Sequence, residues 1–210
     1  MFRRVAALLG TMGFLGVSAV GAAPSALVEI RDPAFVLDLR YNTVDNFLKK
    51  NVYADYGLDR CYVHRDLAER LNRLIPFLQK EGLKLVFWDC YRPLDVQKAM
   101  WKLVPDARYV ADPKNGSNHN RGIAVDVTLA GKDGKNLEMP TLFDDFSAKA
   151  SPGYRCTPEE KQKCQNRDRL AELMAQVGLK PLPTEWWHFQ LPAKGYPIVP
   201  ALHEPETTEN

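Results

Sequence analysis

The chain has 210 residues, 45% of them hydrophobic and 26% charged, with a formal net charge of +2. That length suits one well-buried core and gives no ground for assuming two domains. So balanced a charge excludes an overall field that would draw nucleic acid or an anionic membrane surface, and no nucleic-acid partner is expected.

Residues 1–23 read as a secretory signal: Arg3 and Arg4 form a basic start, the run to Val20 is uncharged, and Gly21-Ala22-Ala23 offers small residues for cleavage. The run is short and glycine-interrupted against the ~20 residues of a spanning helix, which favours cleavage over an anchor. No cysteine precedes Cys61, so nothing supports lipid attachment. The expected product is periplasmic or secreted, without stable membrane association once the signal is removed. It would comprise a folded domain over 24–202 and a polar tail over 203–210. In an oxidising setting the four cysteines at 61, 90, 156 and 164 suit two disulfides. Three pairings are possible in principle. The closeness of Cys156 and Cys164 around a helix start favours joining them, which leaves Cys61 with Cys90. A four-thiolate zinc site lacks any Cys-x-x-Cys pair.

In chain order, Asp66 to Lys80 places Leu67, Leu71, Leu74, Ile75 and Leu78 on one helical face, ended by Gly82. Leu83 to Trp88 reads as a buried strand, and Pro93 opens a helix to about Leu103. Residues 104–118 read as a loop. Ile123 to Leu129 alternates large apolar residues with Ala124, Asp126 and Thr128, a strand with one special face. Thr157-Pro158-Glu159-Glu160 has the form of a capping box before a helix running to Gly178, and Trp186 to Leu191 reads as a last strand. Mixed elements without a regular strand–helix repeat predict an α+β fold, with helices on a central, mainly antiparallel sheet in a single domain.

Chemistry gathers in two segments. Asp126 lies on the small-residue face of a core strand, where a carboxylate is costly unless paired or metal-bound. His119 lies just before that strand, and Gly122 permits a tight path between them. Taken alone, a His and an Asp seven apart are more often a surface His and a capping Asp. In Glu185-Trp186-Trp187-His188, His188 offers a third ligand and Glu185 a nearby carboxylate that need not bind metal. By itself this segment reads as a Trp-rich structural strand. The chain has only four His, two of them in these segments. His119, Asp126 and His188 together make a three-ligand set that leaves zinc an open position for water.

Ser-x-His-x-x-Gly-x-Ala-x-Asp over 117–126, followed by Glu-x-x-His over 185–188, resembles the signature of the zinc D-Ala-D-Ala peptidases. Within that group, Tyr41-Asn42-Thr43-Val44-Asp45-Asn46-Phe47, Trp88-Asp89-Cys90-Tyr91-Arg92-Pro93, Phe143-Asp144 and Glu185-Trp186-Trp187-His188 resemble the D-alanyl-D-alanine dipeptidases. The resemblance runs from about residue 40 to 200. Cys90 departs from it, standing where a small residue such as Gly is expected, and a disulfide to Cys61 would account for that. The resemblance implies one zinc (Zn2+) per chain held by His119, Asp126 and His188, with Glu185 as general base and Arg92 stabilising the oxyanion. It also implies that Asp144 and Tyr41 receive the ammonium of a small dipeptide substrate, and Ser117 its carboxylate. Hydrolysis of D-alanyl-D-alanine to free D-alanine is the activity this implies. A D,D-carboxypeptidase or endopeptidase acting on longer cell-wall peptides would use the same metal set. His64, just before a helix, and His203, in the tail, read as structural.

Overall fold

A computed structural model describes residues 26–201; the expected signal segment at 1–23 and the polar tail at 203–210, with His203, lie outside the described residues. The central sheet has five strands in the order β2 (Phe35–Leu37), β4 (Leu83–Asp89), β5 (Ala124–Gly131), β7 (Glu185–Gln190), β6 (Lys180–Leu182). Only the β2–β4 pair is parallel, so the expected α+β fold with a mainly antiparallel sheet is the one found. A small antiparallel pair, β1 (Leu27–Glu29) with β3 (Tyr62–His64), sits apart from it. The short strands β1, β2, β3 and β6 have three residues each, too few to register as a periodic pattern.

The two faces of the sheet follow from residue alternation. Leu85 lies opposite Leu129, Phe87 opposite Val127 and Val125 opposite Phe189, and all six are buried in one apolar cluster. Helices α1 (Arg65–Asn72), α2 (Ile75–Glu81) and α4 (Lys161–Gln176) bury Leu67, Leu71, Leu78, Leu170, Leu173 and Met174 in that cluster. Each such side chain contributes about 1.5–3 kcal/mol on burial. The opposite face presents Ala124, Asp126 and Thr128 from β5 and His188 and Gln190 from β7, with Asp126 opposite His188. That polar face is the floor of the site.

One expected element is corrected. The single helix over Asp66–Lys80 is two helices with a break at Arg73–Leu74. Pro76 is the reason: it lacks an N–H, and its ring would strike the carbonyl of Asn72 four residues back, so α1 must end and α2 starts with proline in its first turn. His64 caps α1, its Nδ1 accepting from Asp66 N at 3.2 Å. Helix α3 (Leu94–Leu103) follows Pro93, and Thr157 N donates to Glu160 in the turn before α4. None of the helices among the described residues is long and apolar enough to cross a membrane.

Both disulfides are formed, Cys61–Cys90 and Cys156–Cys164. The first ties the start of β3 to the end of β4. Closing its loop, with 29 residues of sequence separation, is worth about 3–4 kcal/mol by chain entropy, against about 2–3 for the shorter one. Thiol titration of denatured, unreduced protein should therefore find no free thiol. A Cys61→Ala/Cys90→Ala pair should lower the urea-unfolding free energy more than Cys156→Ala/Cys164→Ala does. Four free thiols would contradict both bridges.

Candidate active site

The turn that carries His119 is built by its neighbours. Ser117 Oγ accepts from His119 N at 3.2 Å, and Asn120, fully buried, accepts from Ser117 N at 2.7 Å and donates to the Arg92 carbonyl at 2.7 Å. The turn ends at Gly122 with φ of 68°, a left-handed backbone that favours glycine. A Cβ there would also lie 2.3 Å from Leu27 and 2.9 Å from the backbone N of His64, so no larger residue fits. The chain can then enter β5 at once, with Asp126 two residues inside the strand. His188 comes from β7 directly opposite.

Three side-chain atoms converge. His188 Nδ1 lies 3.0 Å from Asp126 Oδ1 and 3.2 Å from His119 Nε2, and His119 Nε2 lies 3.3 Å from Asp126 Oδ1. All three residues are buried and can together hold a metal ion. With zinc–ligand bonds of about 2.0–2.2 Å, the edge of a tetrahedron is about 3.3–3.6 Å, so donors a few tenths of an ångström closer than that fit zinc after a small outward shift. The other ring nitrogens are engaged as well: His119 Nδ1 lies 2.8 Å from the Cys90 carbonyl and His188 Nε2 lies 2.9 Å from Gln190 Oε1. Such partners orient ligating imidazoles.

Glu185 reaches the same place from the first position of β7, its Oε2 3.8 Å from His188 Nδ1. Strict alternation would put residues three apart on opposite faces. The register between β6 and β7 shifts at this point, with Leu182 rather than a regular partner opposite Glu185. Arg92 is clamped by Asp89, whose Oδ2 accepts from Nε at 3.0 Å and Nη2 at 2.5 Å, while Nη1 donates to Gln97 Oε1 at 2.8 Å. These bonds use three of the five guanidinium N–H groups and Tyr53 also interacts with the guanidinium, which leaves part of the fork for a ligand. Nη2 stands 3.9 Å from Asp126 Oδ2, which puts that edge beside the metal-binding atoms.

Asp144 has φ of 58°, a left-handed backbone that Asp tolerates better than most residues. The turn sends Phe143 into an aromatic cluster with Tyr41, Trp88 and Trp187, while the Asp144 carboxylate accepts from Tyr41 OH at 2.9 Å and Phe47 N at 3.4 Å. All eight sequence-predicted site residues line one cavity of about 240 Å³. A family described as "D-ala-D-ala dipeptidase" (Peptidase_M15) matches residues 27–203. The chain belongs to this family.

Among relatives, a D-alanyl-D-alanine dipeptidase of Escherichia coli (strain K12) is 36% identical over 168 residues, covering 80% of this chain and 84% of its own length. One from Enterococcus faecium is 31% identical over 185 residues, covering 76% of this chain and 87% of its own length.

Charge in this family member's cavity is out of balance. Burial pushes Glu185 up to about 8, with Asp126 and Asp144 adding to the rise. Burial likewise pushes Asp144 up to about 7, with Asp126 again adding. Asp126 itself is held below the usual carboxylate range, because His119 and His188 outweigh the cost of its burial. Several carboxylates thus share a buried space with Arg92, and a divalent cation would relieve the excess.

Sequence reasoning missed the supports. Asp89, fully buried, also accepts from Tyr53 OH at 2.5 Å and Cys90 N at 2.8 Å. Asn120 and Gln97 hold backbone and guanidinium in place. A signal existed for Asp89 and Asn120, which lie inside the quoted motifs. Tyr53 and Gln97 carried none.

Proposed function

We propose that the chain hydrolyses D-alanyl-D-alanine to two molecules of D-alanine, with one zinc held by His119, Asp126 and His188. One observation carries this reading: a cation-binding triad, a nearby unliganded carboxylate and a second buried carboxylate at Asp144 share a single small cavity. At about 240 Å³ the cavity falls below the ~300–1,000 Å³ usual for drug-sized ligands, which suits a dipeptide.

When bound, zinc would polarise the peptide carbonyl and lower the pKa of a coordinated water towards ~7. Glu185 accepts the proton of the attacking water and returns it to the leaving amine. In the metal-free protein burial raises its proton affinity, the direction that suits a group that must both take and give a proton. The free N–H edge of Arg92 donates to the oxyanion that develops on the scissile carbonyl, and Asp89 keeps that edge aimed. Asp144 pairs with the substrate ammonium, with Tyr41 OH fixing the carboxylate. Ser117 keeps its own O–H free to donate to the substrate carboxylate, since its oxygen accepts from His119 N.

A D,D-carboxypeptidase acting on longer peptides is the second reading. A neighbouring cavity of about 840 Å³ favours it, because it shares Phe47, Asp144 and Phe146 with the first and is lined by the buried, unpartnered Thr128 hydroxyl. Purified protein should carry one zinc per chain and release two D-alanines from the free dipeptide, with little release from a pentapeptide ending in the same pair. Zinc-free active protein would overturn the metal assignment. Comparable release from the pentapeptide would establish the second reading. Export is part of the proposal, supported by the two disulfides, which persist in oxidising compartments.

A further inference from the structure

The two ring nitrogens of His188 have different surroundings. Nδ1 faces Asp126 and His119, whereas Nε2 lies 2.9 Å from Gln190 Oε1. The same oxygen accepts from Asn118 Nδ2 at 2.7 Å. Gln190 is two residues beyond His188 on the same face of β7 and sits opposite Ala124, whose single methyl group leaves the amide room to turn back along the strand. Asn118, in turn, is the residue before His119, so this contact joins the two histidine-bearing segments.

An imidazole binds a metal through a nitrogen without a proton, and where that proton resides is set by the partner of the other nitrogen. His119 is served by the Cys90 backbone carbonyl, an acceptor that no side-chain change can remove. His188 depends on a side-chain amide, and an amide can present either oxygen or nitrogen. Presented as oxygen, it accepts the Nε2 proton and leaves the Nδ1 lone pair facing Asp126 and His119. Presented as nitrogen, it would force the proton onto Nδ1 and block the ligand atom.

We propose that Gln190, held oxygen-first by Asn118, is a positioning residue that selects the metal-binding form of His188. This rests on the zinc reading above. As placed, Asn118 presents its N–H to that oxygen and so holds Gln190 oxygen-first.

The test is zinc affinity, read by competition with a chromophoric chelator on the full chain. Gln190→Leu removes the acceptor at similar size and should weaken zinc binding by about 10- to 100-fold. Gln190→Glu offers acceptors only and should bind zinc at least as tightly as wild type. Asn118→Ala keeps Gln190 but frees its amide, and should cost a smaller factor, about three- to tenfold. Rescue by Glu but not by Leu is the decisive pattern, because a residue needed only for folding or packing would not discriminate the two by acceptor chemistry. Should Gln190→Leu fail to fold, the Gln190→Glu and Asn118→Ala pair still decides. Equal affinity of wild type and Gln190→Leu overturns the inference, as does a Gln190→Glu variant that binds zinc weakly, or Asn118→Ala at wild-type affinity. Wild type that binds no zinc fails in a different way and removes the zinc reading as well.

Discussion

Glu185→Gln is expected to lower kcat on D-alanyl-D-alanine by about a hundredfold or more while leaving zinc content unchanged, the scale of removing a general base. The substitution keeps shape and volume and deletes the proton acceptor. Glu185 Oε2 stands 3.8 Å from His188 Nδ1, outside the 3.0–3.3 Å spacing of the three converging atoms. Metal analysis and single-turnover kinetics on the same preparation make the check. A variant that loses its zinc would make Glu185 a ligand, and an active variant would place the base elsewhere. The same change has a signature in stability. The proton affinity of Glu185 is raised on folding, so protonation favours the metal-free fold below the unfolded carboxyl pKa of ~4.3, and that advantage is lost as pH rises through about 8. Glutamine has no proton to lose. Metal-free Glu185→Gln should therefore gain in melting temperature relative to metal-free wild type as pH rises from 5 to 8.

What the sequence reveals depends on whether the information is local. Asp126 is legible because strand alternation puts a carboxylate between Ala124 and Thr128 on a face opposite a row of large apolar residues. Gly122 is legible for the same reason, since the distance from His119 to the strand leaves space only for a tight turn. Glu185 and His188 are legible as a pair from their closeness in sequence, but regular alternation would separate them, and the register shift at Glu185 involves β6, a three-residue strand with no periodicity to read. Tyr53 and Asp89 are 36 residues apart, and nothing in either segment announces the contact. The pairing of β2 with β4, the one parallel pair, is likewise a long-range choice. The break between α1 and α2 is a different case. Pro76 stands in plain view, and apolar periodicity across it outweighed the steric rule that proline imposes. The cysteines fall between, because the closeness of Cys156 and Cys164 limits the pairings while the geometry of Cys61 and Cys90 depends on β3 meeting β4.

Acetylating the substrate amine should lower kcat/KM by about a hundredfold or more at pH 8, and the ratio of the two substrates should itself depend on pH. The first effect follows from Asp144. Breaking a buried ion pair by removing one partner costs about 3–5 kcal/mol, because the remaining charge stays desolvated. Asp144 has an escape, since its burial raises its proton affinity and uptake of a proton would relieve the stranded charge. The penalty is thus held towards the lower end of that range, which is still about a hundredfold. The second effect has the same origin. Burial pushes Asp144 up to about 7 in the metal-free protein, and a cation at the triad draws that value down. Below the pKa that results, the free dipeptide must first drive a proton off Asp144, whereas the acetylated substrate meets a neutral carboxyl that suits it. Dividing the two kcat/KM values cancels what both substrates share, including Glu185 and the metal. The ratio should therefore fall as pH drops below the Asp144 pKa of the zinc-loaded enzyme, by up to tenfold per unit, and level off above ~8 where the substrate amine loses its own proton. Asp144→Asn should flatten the profile by slowing the free dipeptide and sparing the acetylated one. Equal efficiencies at pH 8 would remove Asp144 from ammonium recognition and favour carboxypeptidase action. A large ratio that ignores pH would leave steric exclusion of the acetyl group as the cause, with the Asp144 charge uninvolved.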